Sequence, residues 1–458
     1  MFENFPLTVS VRAYLLWLLF LAIAIVVTRR CIGYKRFNTF TIYLPWLILT
    51  NGLLTPLGID ASYSVITASG LSDLALRRTW LSVGLMYATM PLGVIAANSF
   101  RRRSPSRSGD AIIRQTARSG PLMWFIGFTC VLSLVSLVQI YIDGIQLDIW
   151  RFFTGFETAL AYADHRYTFA EATTGWQYYL YTKLPYGIAP MAMILLWNHE
   201  KVSRNIRYLA IGVMTFALIQ TGHKLPLVMI GMTLIVSRYL IRYNMAVPMR
   251  AMVFAAAGFI LLVVAYLPYE YLAQGEPSYG DALNWSIERM FVEPYRGLQL
   301  YFEVYPNYHP FLYGLSSRAV AAVLNVRDFI SVSVYIPQVF LGINNTSYPA
   351  LFIGEAWADF GYVGVIVYSV VVGFILQSYN VLYYNQQRHY LEDAALLIAV
   401  GISTIHLGHS NLVATCFTYG LGTHVLICVA MKRLGRSREK VPRSALRIGA
   451  RRSVLNAT

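Results

Sequence analysis

Apolar runs of about 17–25 residues recur along this chain, and runs of that length and composition are the signature of transmembrane helices. Eleven are read from the sequence, at roughly 13–28, 38–58, 80–99, 121–141, 176–197, 207–222, 225–241, 251–269, 350–379, 394–408 and 411–431. With 57% hydrophobic and 13% charged residues, the composition excludes an ordinary soluble protein. The first run is too long, and too poorly followed by small residues, for a cleavable signal; Arg29 and Arg30 stop it. The expected fold class is an all-α polytopic membrane protein with about eleven spans, forming a single transmembrane helical domain over 1–458.

The basic residues orient it. Arg29, Arg30, Lys35 and Arg36 follow the first run, and Arg101, Arg102, Arg103, Arg107, Arg114 and Arg118 follow the third. Lys201, Arg204 and Arg207 follow the fifth, and nine more lie in a basic tail at 432–458. With Arg238, Arg242, Arg250 and Arg388, one side holds 26 of the 37 Lys and Arg but only 5 of the 22 acids. The positive-inside rule makes that side the cytoplasm, with the N-terminus outside and the C-terminus inside. The net charge of +15 is explained by this topology, and nucleic-acid binding has no place in it.

Several chemistries find no support. Cys31, Cys130, Cys416 and Cys428 are scattered, with neither metal spacing nor a disulfide framework. No Walker loop and no GxGxxG between a strand and a helix is present, so no nucleotide or other cofactor is expected. Chemistry on the outer face has no ATP and needs a pre-activated substrate. Without an internal repeat, the chain also differs from the many transporters built from duplicated halves.

Two outside segments are long: 142–175, and 267–348. The second holds most of the eleven tyrosines found from Tyr266 to Tyr348, with Arg289, Arg296, Arg318 and Arg327. A connection this long is functional or disordered. Disorder goes with few aromatics, so this loop is read as folded and working. Helical pieces are expected after Asp281 and from Pro294, with Pro306 and Pro310 ending the second. The apolar stretch 329–343, broken by Pro337, is expected to dip into or lie on the membrane.

Four constellations could carry chemistry. Arg289 and Arg296, seven apart, present the planar fork that binds phosphate through two parallel bonds; ion pairs with Glu288, Glu293 or Glu303 are the structural alternative. In the turn Thr221–Pro226, His223 and Lys224 precede a helix whose first amides favour an anion, although a lysine at a helix end also simply snorkels. Glu355 and Asp359 share a face at i and i+4 near the outer end of the ninth run, and acids there mark a site or a satisfied pair. His406, His409 and Asn411 cluster at the outer end of the tenth; no acidic or cysteine ligand accompanies them, so no metal is expected. The aromatics, among them Tyr295, Tyr301 and Tyr305, suit either an interfacial belt or a sugar-binding surface.

In layout, and in the stretch from Trp285 to Leu376, the chain resembles the Wzy-type oligosaccharide repeat-unit (O-antigen) polymerases. The residues that carry the resemblance are SIERMFVEPYRGLQLYFEVYP, FLYGLSSR and NNTSYPALFIGEAWADFGYVGVIVYS, together with the T-G-basic turn. The Arg-x10-Gly pattern of one subgroup does not start at Arg151, Arg166, Arg289 or Arg296. The resemblance implies a GT-C-like architecture in the bacterial inner membrane with a periplasmic active site. It implies transfer of a growing chain from undecaprenyl diphosphate onto the terminal sugar of a new lipid-linked unit, with a chain-length regulator as partner. On that reading Arg289, Arg296, Lys224 and His223 meet the diphosphate, and Glu293, Glu355 or Asp359 takes the acceptor proton. Tyr295, Tyr301, Tyr305 and His409 then hold the sugars. A polysaccharide ligase using the same donor, and a lipid-linked-sugar flippase or transporter, are the alternatives.

Overall fold

The computed structural model describes 36–48, 71–100, 119–146, 184–220, 225–247, 278–287, 293–317, 331–342, 350–386 and 389–436, with a few isolated positions between. Among the described residues the elements are helical, apart from one isolated bridge between Arg36 and Ala246. In order they are α1 (Phe40–Ile48), α2 (Asp73–Ser99), α3 (Ser119–Ile142), a π-helical turn (Leu184–Ile188) and α4 (Ala189–Asn198). Next come α5 (Arg204–Ile219), α6 (Leu225–Arg242), α7 (Tyr279–Ile287), α8 (Glu293–Asn307) and α9 (Val332–Leu341). The last are α10 (Phe352–Tyr384), α11 (Leu391–Ser403), a 3-10 turn (Thr404–Gly408), α12 (Leu412–Phe417) and α13 (Thr423–Arg436).

Among the described residues, four helical stretches are long and apolar enough to cross a membrane: Arg77–Ser99, Gly120–Ile142, Phe352–Tyr384 and Leu391–Gly408. The described residues thus form an all-α arrangement with helices suited to a membrane. Two expected spans differ. The run at 411–431 is broken into α12 and α13, because the chain turns at Gly420, whose φ of 94° suits glycine. The run at 350–379 is interrupted at Gly361, with φ 59° and ψ −141°, a conformation essentially closed to other residues. The remaining 362–384 still measures roughly 34 Å at 1.5 Å per residue, enough to span. Runs 13–28 and 251–269 lie largely or wholly outside the described residues.

The central contact is between α2 and α10, which run parallel. At one end Arg78 meets Trp357; at the other, Gln377 Nε2 donates to Asn98 Oδ1 at 2.6 Å. Glycines set the closeness of the pair. A Cβ added at Gly93 would lie 1.9 Å from the Val370 carbonyl oxygen, and one at Gly373 would lie 2.1 Å from that of Met90. Where lipid offers no hydrophobic drive between helices, such backbone approach supplies the packing. At the same depth as Asn98, buried Asn380 accepts from Thr39 N at 3.0 Å and donates to Gln377 Oε1 at 3.0 Å, tying α1 to α10. Each polar group in that layer is met by another, as an apolar medium demands.

The loop helix α8 belongs to the same core. Tyr295, Leu298, Phe302 and Tyr305 recur at intervals of three or four, form one stripe, and are buried against α2 and α10. Buried Glu303 fixes the entry to α2: its Oε2 accepts from Ser72 N at 3.1 Å and Ser72 Oγ at 2.5 Å, while Ser72 Oγ accepts from Ala75 N as the N-cap. The segment expected to dip or lie flat contains α9, only ten residues long with Pro337 inside it.

Replacing Gly373 by Leu is expected to destabilise the detergent-solubilised protein by about 1–3 kcal/mol or more, as overpacking does. Gly127, with open space where its Cβ would be, should accept Ala without loss. Thermal unfolding of the two variants checks the contrast.

Candidate acidic site at the head of helix α10

The first turns of α10, before Gly361, carry Glu355 and Asp359. Segment 310–317 folds over them: Leu312 N and Tyr313 N donate to the carbonyls of Ala358 and Asp359 at 2.9 and 3.1 Å. Gly314, with φ 96°, turns the chain so that two amides converge on one carboxylate. Asp359 Oδ1 accepts from Gly314 N and from Ser316 N, both at 3.0 Å. Its Oδ2 accepts from Ser316 Oγ at 2.7 Å and Tyr368 Oη at 3.2 Å. Asp359 is thus a buried acid with four donors, held by hydroxyls and amides.

Glu355 stands one turn earlier on the same face. The side chains of Asn411 and Ser316 lie against it, and Tyr301 and Tyr305 are close enough to interact with it electrostatically. Its Oε2 is buried without a hydrogen-bond partner. In its ionised form a carboxylate only accepts, so in that form this oxygen can take the hydrogen of a hydroxyl brought to it. Among the described residues no lysine or arginine forms an ion pair with either acid.

The three tyrosines expected to hold sugars are placed inside. Tyr295, Tyr301 and Tyr305 are each about 1% exposed. Tyr295 meets Trp80 edge-on, and Tyr301 Oη donates to the Tyr348 carbonyl at 3.2 Å. The Tyr305 carbonyl accepts from Trp357 Nε1 at 2.8 Å. Burial, with the nearby acids adding to it, holds the Tyr301 and Tyr305 phenols above their ordinary range, so both are donors and not bases. Their rings serve the packing of α8 in this structure. Tyr308 and Tyr313 in the same region are exposed.

His409 joins the site through Asn411. Asn411 caps α12, its side chain accepting from Ala414 N, and also touches Glu355. His409 Nε2 and His406 Nδ1 are 3.2 Å apart, and the His406 ring stacks on Tyr419 at 4.1 Å. Burial pushes His409 down to about 4. A neutral His–His pair with one shared proton fits this geometry.

Arg289, Lys224 and His223 lie outside the described residues. Glu293 and Arg296 are placed by the backbone at the first turn of α8. Residues missed from the sequence are Ser316, Tyr368 and Arg78; Asn411 is grouped there with His406 and His409, and its contact with Glu355 is what the structure adds. Ser316 follows Tyr313-Gly314, a turn signal, and Asn411 precedes an apolar run as a cap does; both signals were readable. Half-buried Arg78 donates to Asn307 Oδ1 at 3.2 Å and the Phe302 carbonyl at 3.5 Å, with its guanidinium 5.8 Å from the Trp357 ring.

No family profile, curated protein or solved structure matches this chain.

Asp359→Ala leaves the amides of Gly314 and Ser316 without their acceptor, at about 1–3 kcal/mol each. Hydrogen exchange across 312–317 should quicken at least about tenfold, with little change in α3. For His409, a folded value below the ordinary 6.5 means the unfolded chain binds more protons between about 4 and 6.5. Stability then falls as pH drops through that window. His409→Gln should flatten the dependence of Tm on pH there.

Proposed function

We propose that the protein is a membrane glycosyltransferase that polymerises lipid-diphosphate-linked oligosaccharide units on the outer face of a bacterial inner membrane. The observation that carries this reading is the vacant Oε2 of Glu355, buried beside a fully satisfied Asp359 at the end of the bundle where the aromatic segment folds. Two adjacent acids with different partners suit different tasks. Asp359 holds the segment; Glu355 receives a proton.

In the transfer, the bond from the sugar's anomeric carbon to the diphosphate oxygen breaks. A bond from that carbon to an acceptor hydroxyl oxygen forms. The hydroxyl proton passes to Glu355, with Glu293 the other candidate, and the lipid diphosphate leaves with the bonding pair. Charge develops on the diphosphate, and donors fixed in advance around it supply the largest share of catalysis. Arg289, Arg296, Lys224 and His223 are assigned that role by the loop and turn they occupy. The donor is already activated, which agrees with a sequence that lacks nucleotide-binding motifs. About eleven spans in a GT-C-like arrangement, oriented by the positive-inside rule, would give the two polyprenyl tails a groove.

Purified protein in liposomes, supplied with lipid-linked repeat units, should produce a ladder of polymer. Glu355→Gln should lower the rate about 100-fold or more at wild-type protein level, as loss of a general base does. Arg289→Ala and Arg296→Ala should each abolish the ladder. A full ladder from Glu355→Gln would sink its role as base. Transfer onto a lipid core without a ladder would identify a ligase, and movement of the unit across the bilayer without lengthening would identify a carrier.

A further inference from the structure

His309 is held by one hydrogen bond and two ring contacts. It sits just past α8, at the start of the segment that Asp359 holds down. Its Nδ1 lies 2.7 Å from the Pro310 carbonyl oxygen. A carbonyl only accepts, so Nδ1 carries the proton; in the neutral ring Nε2 is then the acceptor. The ring is wedged edge-on between Tyr305 and Tyr335, each 5.4 Å away between centroids, at 64° and 78°. Orientation and tautomer are both set, while the residue stays half-buried and reachable. Among the described residues no protein group meets Nε2.

The surroundings suit a saccharide. In sequence, Tyr308 comes just before His309 and Tyr313 four residues after it, and they are 64% and 74% exposed. Tyr313 has φ 51°, a left-handed backbone that costs a bulky residue about 1 kcal/mol or more. The turn there leaves the ring outside, against the edge of Phe360 at 6.3 Å. Sugars offer apolar C–H faces ringed by hydroxyls, which aromatic faces and a fixed acceptor complement. Buried Tyr305 lies between His309 and the two acids, touching the first and interacting with both of the others.

We propose that His309 Nε2 accepts a hydrogen bond from a hydroxyl of the acceptor sugar, with Tyr308 and Tyr313 as the faces on which that sugar rests. This makes His309 a specificity-determining contact of the acceptor subsite, and it rests on the glycosyl-transfer reading above. The ring packing and the acceptor nitrogen can be separated. His309→Phe keeps a ring between Tyr305 and Tyr335 but has no acceptor, whereas His309→Gln puts an amide oxygen near the Nε2 position and gives up the ring.

The assay pairs a lipid-diphosphate repeat unit blocked at its non-reducing end, which serves only as donor, with a lipid glycoside lacking diphosphate, which serves only as acceptor. For His309→Phe the acceptor KM should rise at least tenfold with donor KM unchanged, and His309→Gln should return it to within threefold of wild type. Phe tolerated and Gln harmful would show a packing role and overturn the proposal. So would an acceptor KM unchanged in His309→Phe, or a shift confined to the donor, while elongation by the wild type continued. A wild-type protein that does not join the two substrates overturns both this proposal and the reading beneath it.

Discussion

Four hydrogen bonds converge on one carboxylate, Asp359, and the segment that covers the head of α10 hangs from them. The donors come from the backbone of Gly314 and Ser316, the hydroxyl of Ser316 and the phenol of Tyr368. Without that acceptor, a turn of irregular chain would bring unsatisfied amides into contact with apolar helices, which a buried site does not tolerate. With it, the segment from Pro310 to Ser317 becomes a lid of fixed shape over the head of α10. Glu355 owes its enclosure to the same arrangement, because Ser316 touches both acids.

The class of fold was legible because it depends on composition and run length, which lipid enforces residue by residue. Runs at 80–99 and 121–141 match Arg77–Ser99 and Gly120–Ile142 closely. What hydropathy could not convey is direction. A glycine within an apolar run looks the same whether it packs against a neighbour, as Gly373 does, or breaks the helix, as Gly361 and Gly420 do. The difference lies in what surrounds it, and run length carries no record of that.

The site was legible in part, for a related reason. The i, i+4 spacing of Glu355 and Asp359 put both on one face, which helix geometry alone ensures. Their unlike environments come from Ser316 and Asn411, some forty and fifty residues away in opposite directions along the chain, and no local pattern links them. Aromatic content marked the loop as folded, but it could not say which tyrosines face inward. The stripe Tyr295, Leu298, Phe302, Tyr305 held that answer, interleaved with Arg296 and Glu303. His309 carries no sequence signal, because what fixes it is a single backbone carbonyl and two ring edges.

The glycine contacts between α2 and α10 also limit how the molecule can move. Gly93 sits against the Val370 carbonyl and Gly373 against that of Met90, so backbone abuts backbone with no side chain between. Side chains can change rotamer to let helices shear; main-chain atoms cannot. A one-turn slip of α2 along α10 would drive carbonyl oxygens into the next turn. The pair therefore behaves as a stator, and any large motion falls to the elements packed around it.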